Sequence, residues 1–145
     1  MSIHLRTNVL LSVIVSLLGC SGHSPTYYPV TGEVTVDGKP MVAGTVALRS
    51  DGAPGVQSPY IATGKVTNGK YEIFTGQRIG ASLGFYKVLV TSTNYSGNPE
   101  PPTGGTIPMP KSLIDPKYGQ LGQTPLSFEV VADPEAGAYD LEVSE

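Results

Sequence analysis

The sequence predicts an all-β protein, a seven-stranded antiparallel β-sandwich that follows a short cleaved leader. Three observations predict it. Beyond position 30 the apolar residues recur with a period of two, as in "VTGEVTV", "PLSFEVV" and "AYDLEVS", which is the pattern of half-buried strands. The tight-turn pairs Asp37-Gly38 and Asn68-Gly69 stand between such runs. The 18 glycines and 13 prolines are spread along the chain, and no window carries a sustained helical period.

Each element follows in order. Val30, Val34 and Val36 share one face of the first strand, with Thr31, Glu33 and Thr35 on the other. Asp37-Gly38 turns the chain, and Pro40 bars a central ladder position because it has no N–H to donate. Residues 44–50, "GTVALRS", form the second strand with Val46 and Leu48 inward, and 51–59 form a loop. Residues 60–67 and 70–75 are two strands joined by Asn68-Gly69, the clearest hairpin signal in the chain. A Gly-rich link leads to 85–93, "FYKVLVTST", which is apolar on both faces near its middle and is expected in a central position. Residues 94–124 hold six prolines and make a long irregular connection, a functional loop or an excursion. Within it "PKSLIDPKY" is expected to form one helical turn, with Leu113, Ile114 and Tyr118 docking on the sandwich. The last two strands, 124–131 and 138–144, put Leu126, Phe128, Val130, Tyr139, Leu141 and Val143 inward, and are expected to pair as a hairpin.

The chain's 145 residues fit one folded domain, 30–145. Net charge is −3, only 14% of residues are charged, and no run of Lys or Arg occurs. That balance argues against a nucleic-acid partner, which calls for a basic stripe.

The first twenty residues have their own logic. "MSIHLRTN" carries one Arg and no acid, "VLLSVIVSLL" is apolar, and Gly19-Cys20 follows. A positive start, a short apolar stretch and a small residue at the exit describe a secretory signal peptide. The apolar stretch falls short of the roughly 20 residues of a permanent span. Leu17-Leu18-Gly19-Cys20 resembles the lipobox of bacterial lipoproteins, and Cys20 is the only cysteine. The resemblance implies a diacylglycerol thioether on Cys20 and cleavage just before it. Two acyl chains give stable anchoring where one does not. Residues 1–19 are then the signal peptide and 20–29 the lipidated N-terminus and tether. Cleavage leaves eight basic and twelve acidic residues, a charge of −4. Ser21 after the cysteine favours the outer membrane or cell surface over the inner membrane where an Asp-based retention rule operates.

Four stretches, "TGEVTVDGKPMVAGTVAL", "TGKVTNGKYEI", "GFYKVLVTS" and "PKYGQLGQTPLSFEVV", together resemble small bacterial lipoproteins whose single domain is similar to the carboxypeptidase regulatory, or transthyretin-like, domain. The likeness rests on turn and core positions, so it speaks to fold before function. It implies a prealbumin-like, immunoglobulin-like sandwich in the cell envelope, without catalytic residues.

Chemistry-bearing residues are few. Beyond His4 in the leader and His23 in the tether there is no histidine, so a Ser-His-Asp triad is not available. A zinc site lacks ligands for the same reason. Asp133-Pro134-Glu135 reads as a solvated turn before it reads as a calcium site. No cofactor or metal is expected. Tyr60, Tyr95 and Tyr118 are candidate ligand or partner contacts on loop edges, with Tyr71, Tyr86 and Tyr139 in the core or at its rim. The expected protein is non-catalytic: it touches the membrane through lipid on Cys20 and carries a structural or protein-interaction role with another envelope protein. The alternative is a carbohydrate-binding module at the cell surface.

Overall fold

Backbone pairing among the described residues begins at Tyr28, inside the expected tether 20–29. The protein's structure, a computed structural model, describes residues 25–50, 61–94 and 109–145. Ten strands occur among them: β1 (Thr31–Val36), β2 (Lys39–Pro40), β3 (Ala43–Ser50), β4 (Ala62–Thr67), β5 (Lys70–Glu72), β6 (Phe74–Thr75), β7 (Arg78–Ile79), β8 (Gly84–Thr91), β9 (Ser127–Val130) and β10 (Leu141–Val143). The one helical element is a 3₁₀ turn, Pro116–Gly119. No helix among the described residues is long and apolar enough to cross a membrane.

The strands are hydrogen-bonded into one curled sheet with the order β10-β1-β5-β4-β3-β8-β9, and β2, β6 and β7 are short additions to it. The three two-residue strands raise the count above the expected seven. Every pair is antiparallel except one: β1 runs parallel to β10, with Val34 opposite Leu141 and Val36 opposite Val143. The expected terminal hairpin is therefore not formed. Alternation places Leu141 and Val143 on an inner face but does not choose their partner. Residues 131–140 lead the chain away from β9 to the free edge of β1, which would otherwise show unpaired N–H and C=O groups.

The two Gly turns act as the sequence predicts. Asp37 and Gly38 have φ of 48° and 78°, and Asn68 and Gly69 have 50° and 81°. Two consecutive positive φ values are the mark of a type I′ hairpin turn, whose twist matches that of its strands. Pro40 sits in β2 and pairs only with β1. β8 lies between β3 and β9, in the central position expected of it. The expected strand 70–75 is broken at Ile73, whose N–H donates to the Val30 carbonyl at 2.9 Å, and the chain resumes as the small β6–β7 hairpin.

The core runs along the inner face of the curl. Val34, Val46, Val66, Ile73, Val88, Val90 and Val130 are almost wholly buried, joined by Tyr71, Tyr86 and Tyr139. Val36, Leu126 and Phe128 are only partly buried against it. Tyrosines close the curl. The Tyr71 hydroxyl on β5 donates to the Tyr139 carbonyl at 2.5 Å. The Tyr139 ring lies 4.9 Å from that of Phe128 on β9, and its hydroxyl accepts the Val131 N–H. The remaining gap is covered by residues 112–118. Ile114 and Tyr118 are buried as expected, while Leu113 is half exposed. The Asp115 N–H donates to the Ser144 carbonyl at 2.9 Å and so holds this segment to the end of β10.

Candidate functional site

Where the strands β3 and β8 meet the 109–115 segment, the sheet does not pack flush. The Asp37-Gly38 turn, residues 39–43, Ser92–Asn94, Leu113–Ile114 and Glu145 surround a cleft of about 570 Å³. Met41 and Ile114 form its buried floor, and Val42 and Leu113 stand exposed at its rim. Local structure explains the shape. The Met41 N–H donates to the Val34 carbonyl and fixes the chain after β2, leaving Val42 turned outward at 77% exposure. On the other side Thr93 and Ser112 form an isolated bridge, and Asn94 and Lys111 exchange contacts through the Asn94 N–H, the Lys111 N–H and the Asn94 Oδ1.

The polar groups at the cleft are engaged. Ser92 is buried, and its hydroxyl donates to the Ala43 carbonyl at 2.7 Å. The Asp37 carboxylate accepts the Glu145 N–H at 3.3 Å. Beside the cleft, Asp115 caps the 3₁₀ turn by accepting the Lys117 N–H at 2.9 Å, and the Lys117 ammonium sits 2.9 Å from the same carboxylate. These hydrogen bonds hold the Asp115 carboxyl below its ordinary range and push the Lys117 ammonium up. The arrangement is equipped to grip an apolar side chain between Val42 and Leu113, with Asp37, Lys39 and Glu145 as charged surroundings. Among the described residues no group of three or more His, Cys, Asp or Glu side chains could hold a metal ion.

A second surface is the outer face of the sheet. The register places Ile79, Phe74, Thr63, Ala47 and Leu89 side by side in one row across five strands. Arg49 lies opposite Lys87, and Phe85 opposite Glu129. Ile61, Phe74, Ile79 and Phe85 are all at least 39% exposed.

The expected site residues are scattered differently from their sequence reading. Leu17, Leu18, Gly19 and Cys20 lie outside the described residues, as do Tyr60 and Tyr95. Tyr118 is corrected: it is 7% exposed, packs under the Lys117 ammonium and reaches Ser144 through its hydroxyl at 3.3 Å. Its ring cannot serve as a loop-edge stacking platform because it fills the gap above β8. Sequence reasoning missed the cleft, whose lining comes from four separated stretches with no motif in common. The exposed Phe74 and Phe85 had a signal, since each falls out of phase with the buried residues beside it.

The fold defines a class, the all-β proteins built on a curled, largely antiparallel sheet. Comparison of the chain with protein-family models, curated proteins and solved structures gives no match.

Proposed function

We propose that this protein is a lipid-anchored, non-catalytic domain of the bacterial cell envelope whose role is to bind another envelope protein. The observation that carries the reading is Cys20, a lone cysteine directly after Leu17-Leu18-Gly19 and an apolar stretch. Its spacing from the fold supports it: among the described residues the first backbone pairing is at Tyr28, only eight residues further on. The residues between Cys20 and Tyr28 then act as a short leash, and 30–145 as a prealbumin-like sandwich in which the curled sheet's two halves are the facing layers. The exposed Val42 and Leu113 around the cleft are the contact offered to the partner, and Asn94 and Ile114 of the 94–124 connection border it.

Cys20→Ala tests the anchor. The wild-type chain is expected in the membrane fraction with a diacylglycerol-sized mass increment on its Cys20 peptide. The variant is expected to remain uncleaved or to leave the membrane. Processing and sedimentation identical to wild type would refute the anchor. Photocrosslinking from Val42 in the native envelope, followed by identification of the adducts, tests the contact. Adducts equal in yield to those from an exposed site on β5, such as Lys70, would count against the cleft.

A further inference from the structure

The outer face of the sheet and the start of the fold lie together, and neither is used by the cleft. The chain enters beside β7. Tyr28 pairs with Ala81, its N–H donating to the Ala81 carbonyl at 2.8 Å, and the Arg78 guanidinium stacks on the Tyr27 ring at 5.5 Å. Arg78 is the immediate neighbour of Ile79, which ends the row Ile79-Phe74-Thr63-Ala47-Leu89. The exposed apolar residues of this row, Phe74 and Ile79, are joined on the same sheet by exposed Ile61 and Phe85. Four exposed apolar side chains gathered on one face are suited to a contact when charge and tether direct that face to a partner.

Charge sharpens the identity of that contact. Arg49 and Lys87 are direct cross-strand partners on this face, and neither forms an ion pair among the described residues. Two cations side by side repel each other, and an anionic surface would relieve the repulsion. This happens in a chain that is acidic as a whole, with Glu33, Asp37, Asp140, Glu142 and Glu145 gathered around the β1–β10 edge. On the aromatic face Glu129 stands opposite Phe85, and the Arg49–Lys87 pair outweighs it two charges to one, which suits this part of the face to anions.

Geometry supplies the remaining argument, and it rests on the lipid-anchor reading above. A fully extended chain spans at most about 3.6 Å per residue, so Cys20 lies no more than about 18 Å from Pro25. A domain of this length is about 27 Å or more across. A leash shorter than the domain forces the surface around its attachment point towards the bilayer. We infer that the outer face carrying Ile61, Phe74, Ile79 and Phe85, with Arg49 and Lys87, rests on the anionic headgroup surface of the membrane. The apolar side chains enter the interface as the cations meet lipid phosphates. The cleft, at the Ala43 and Ser92 ends of β3 and β8, lies at the opposite end of these strands from Ser50 and Phe85. Docking in this way leaves it open to a partner.

The chain has no tryptophan, so one introduced residue is a sole fluorescent reporter. The full chain, matured from its own leader and reconstituted into vesicles of brominated phosphatidylcholine and phosphatidylglycerol in equal parts, is measured as Phe85→Trp, Ile79→Trp and Val42→Trp. Quenching several-fold stronger at 85 and 79 than at 42 is expected, and it should weaken when Arg49 and Lys87 are both changed to Glu. Equal quenching at all three positions, or stronger quenching at 42, overturns the docking face. The mass of the Cys20 peptide from the same samples separates the two failures. A lipidated Cys20 with equal quenching defeats the face alone, and an unmodified Cys20 defeats the anchor on which it rests.

Discussion

Changing Tyr71 to Phe removes one oxygen from the point where the curled sheet closes. The hydroxyl donates to the Tyr139 carbonyl at 2.5 Å, and both residues are at most 4% exposed. The ring remains, so no cavity of note is made. The carbonyl loses its side-chain donor in a place water does not reach, at a cost of about 1–3 kcal/mol. A loss near the middle of that range lowers the melting temperature of a domain this size by roughly 5–8 °C. The pH dependence makes the prediction specific. Burial, then the Asp140 carboxylate and Tyr139, push the Tyr71 phenol well above its ordinary value of 10.0. A raised folded-state value means the bond's contribution is fully present below pH 10.0 and is lost as pH climbs from there towards the folded value. The loss proceeds at about 1.4 kcal/mol per pH unit. Near about pH 11 the wild type should therefore have surrendered most of its advantage over Tyr71→Phe. The Tyr86 phenol, also raised by burial, is present in both proteins and cancels. Urea or thermal unfolding of the pair, near neutral pH and again near about pH 11, reads the gap. No gap at neutral pH, or a gap of the same size at both, would refute the reasoning.

Two backbone predictions accompany it. Gly64→Ala on β4 places a methyl group against the Glu72 carbonyl, closer than van der Waals contact allows; a loss of about 1–3 kcal/mol is expected in the urea midpoint, and an unchanged midpoint would mean the strands do not approach so closely there. Gly69→Ala combines a φ of +81° with a Cβ only 2.8 Å from that of Pro40, and is expected to cost at least about 1 kcal/mol, seen as a lower melting temperature; wild-type melting would contradict the turn geometry.

Much of the sheet could be read from the sequence because its signals are local. Asp37-Gly38 and Asn68-Gly69 need positive φ, and the residues that tolerate it are written in the chain. Val46 and Leu48, or Val88 and Val90, alternate with less buried neighbours, so their inward face was visible. What alternation leaves open is the partner. Leu141 and Val143 would be buried equally well beside β9 or beside β1, and only the three-dimensional path of residues 131–140 decides for β1. The break at Ile73 was hidden for a related reason: "KYEIFT" has strand-forming residues throughout, while its hydrogen bond goes to Val30 forty-three residues earlier. The cleft had no sequence signature, since Met41, Ser92, Ile114 and Glu145 meet only through the fold. Tyr118 carries two readings, a side chain docked by a helical turn and a contact on a loop edge, and the structure realises the first. Asp115 starts a single 3₁₀ turn there, and that turn is enough to drive the ring inward.

The parallel pairing of β1 with β10 has a consequence for the order in which the molecule can form. Its contacts join residues 107 positions apart, as between Glu33 and Asp140. Bringing such distant points together costs about 4 kcal/mol of chain entropy beyond a constant, and topologies of high contact order fold slowly. β1 is made long before β10, so the native sheet cannot close until the stretch between them has been synthesised. For any chain that folds as it emerges, a strand that completes one made 107 positions earlier delays the native sheet until all the sequence between them is present.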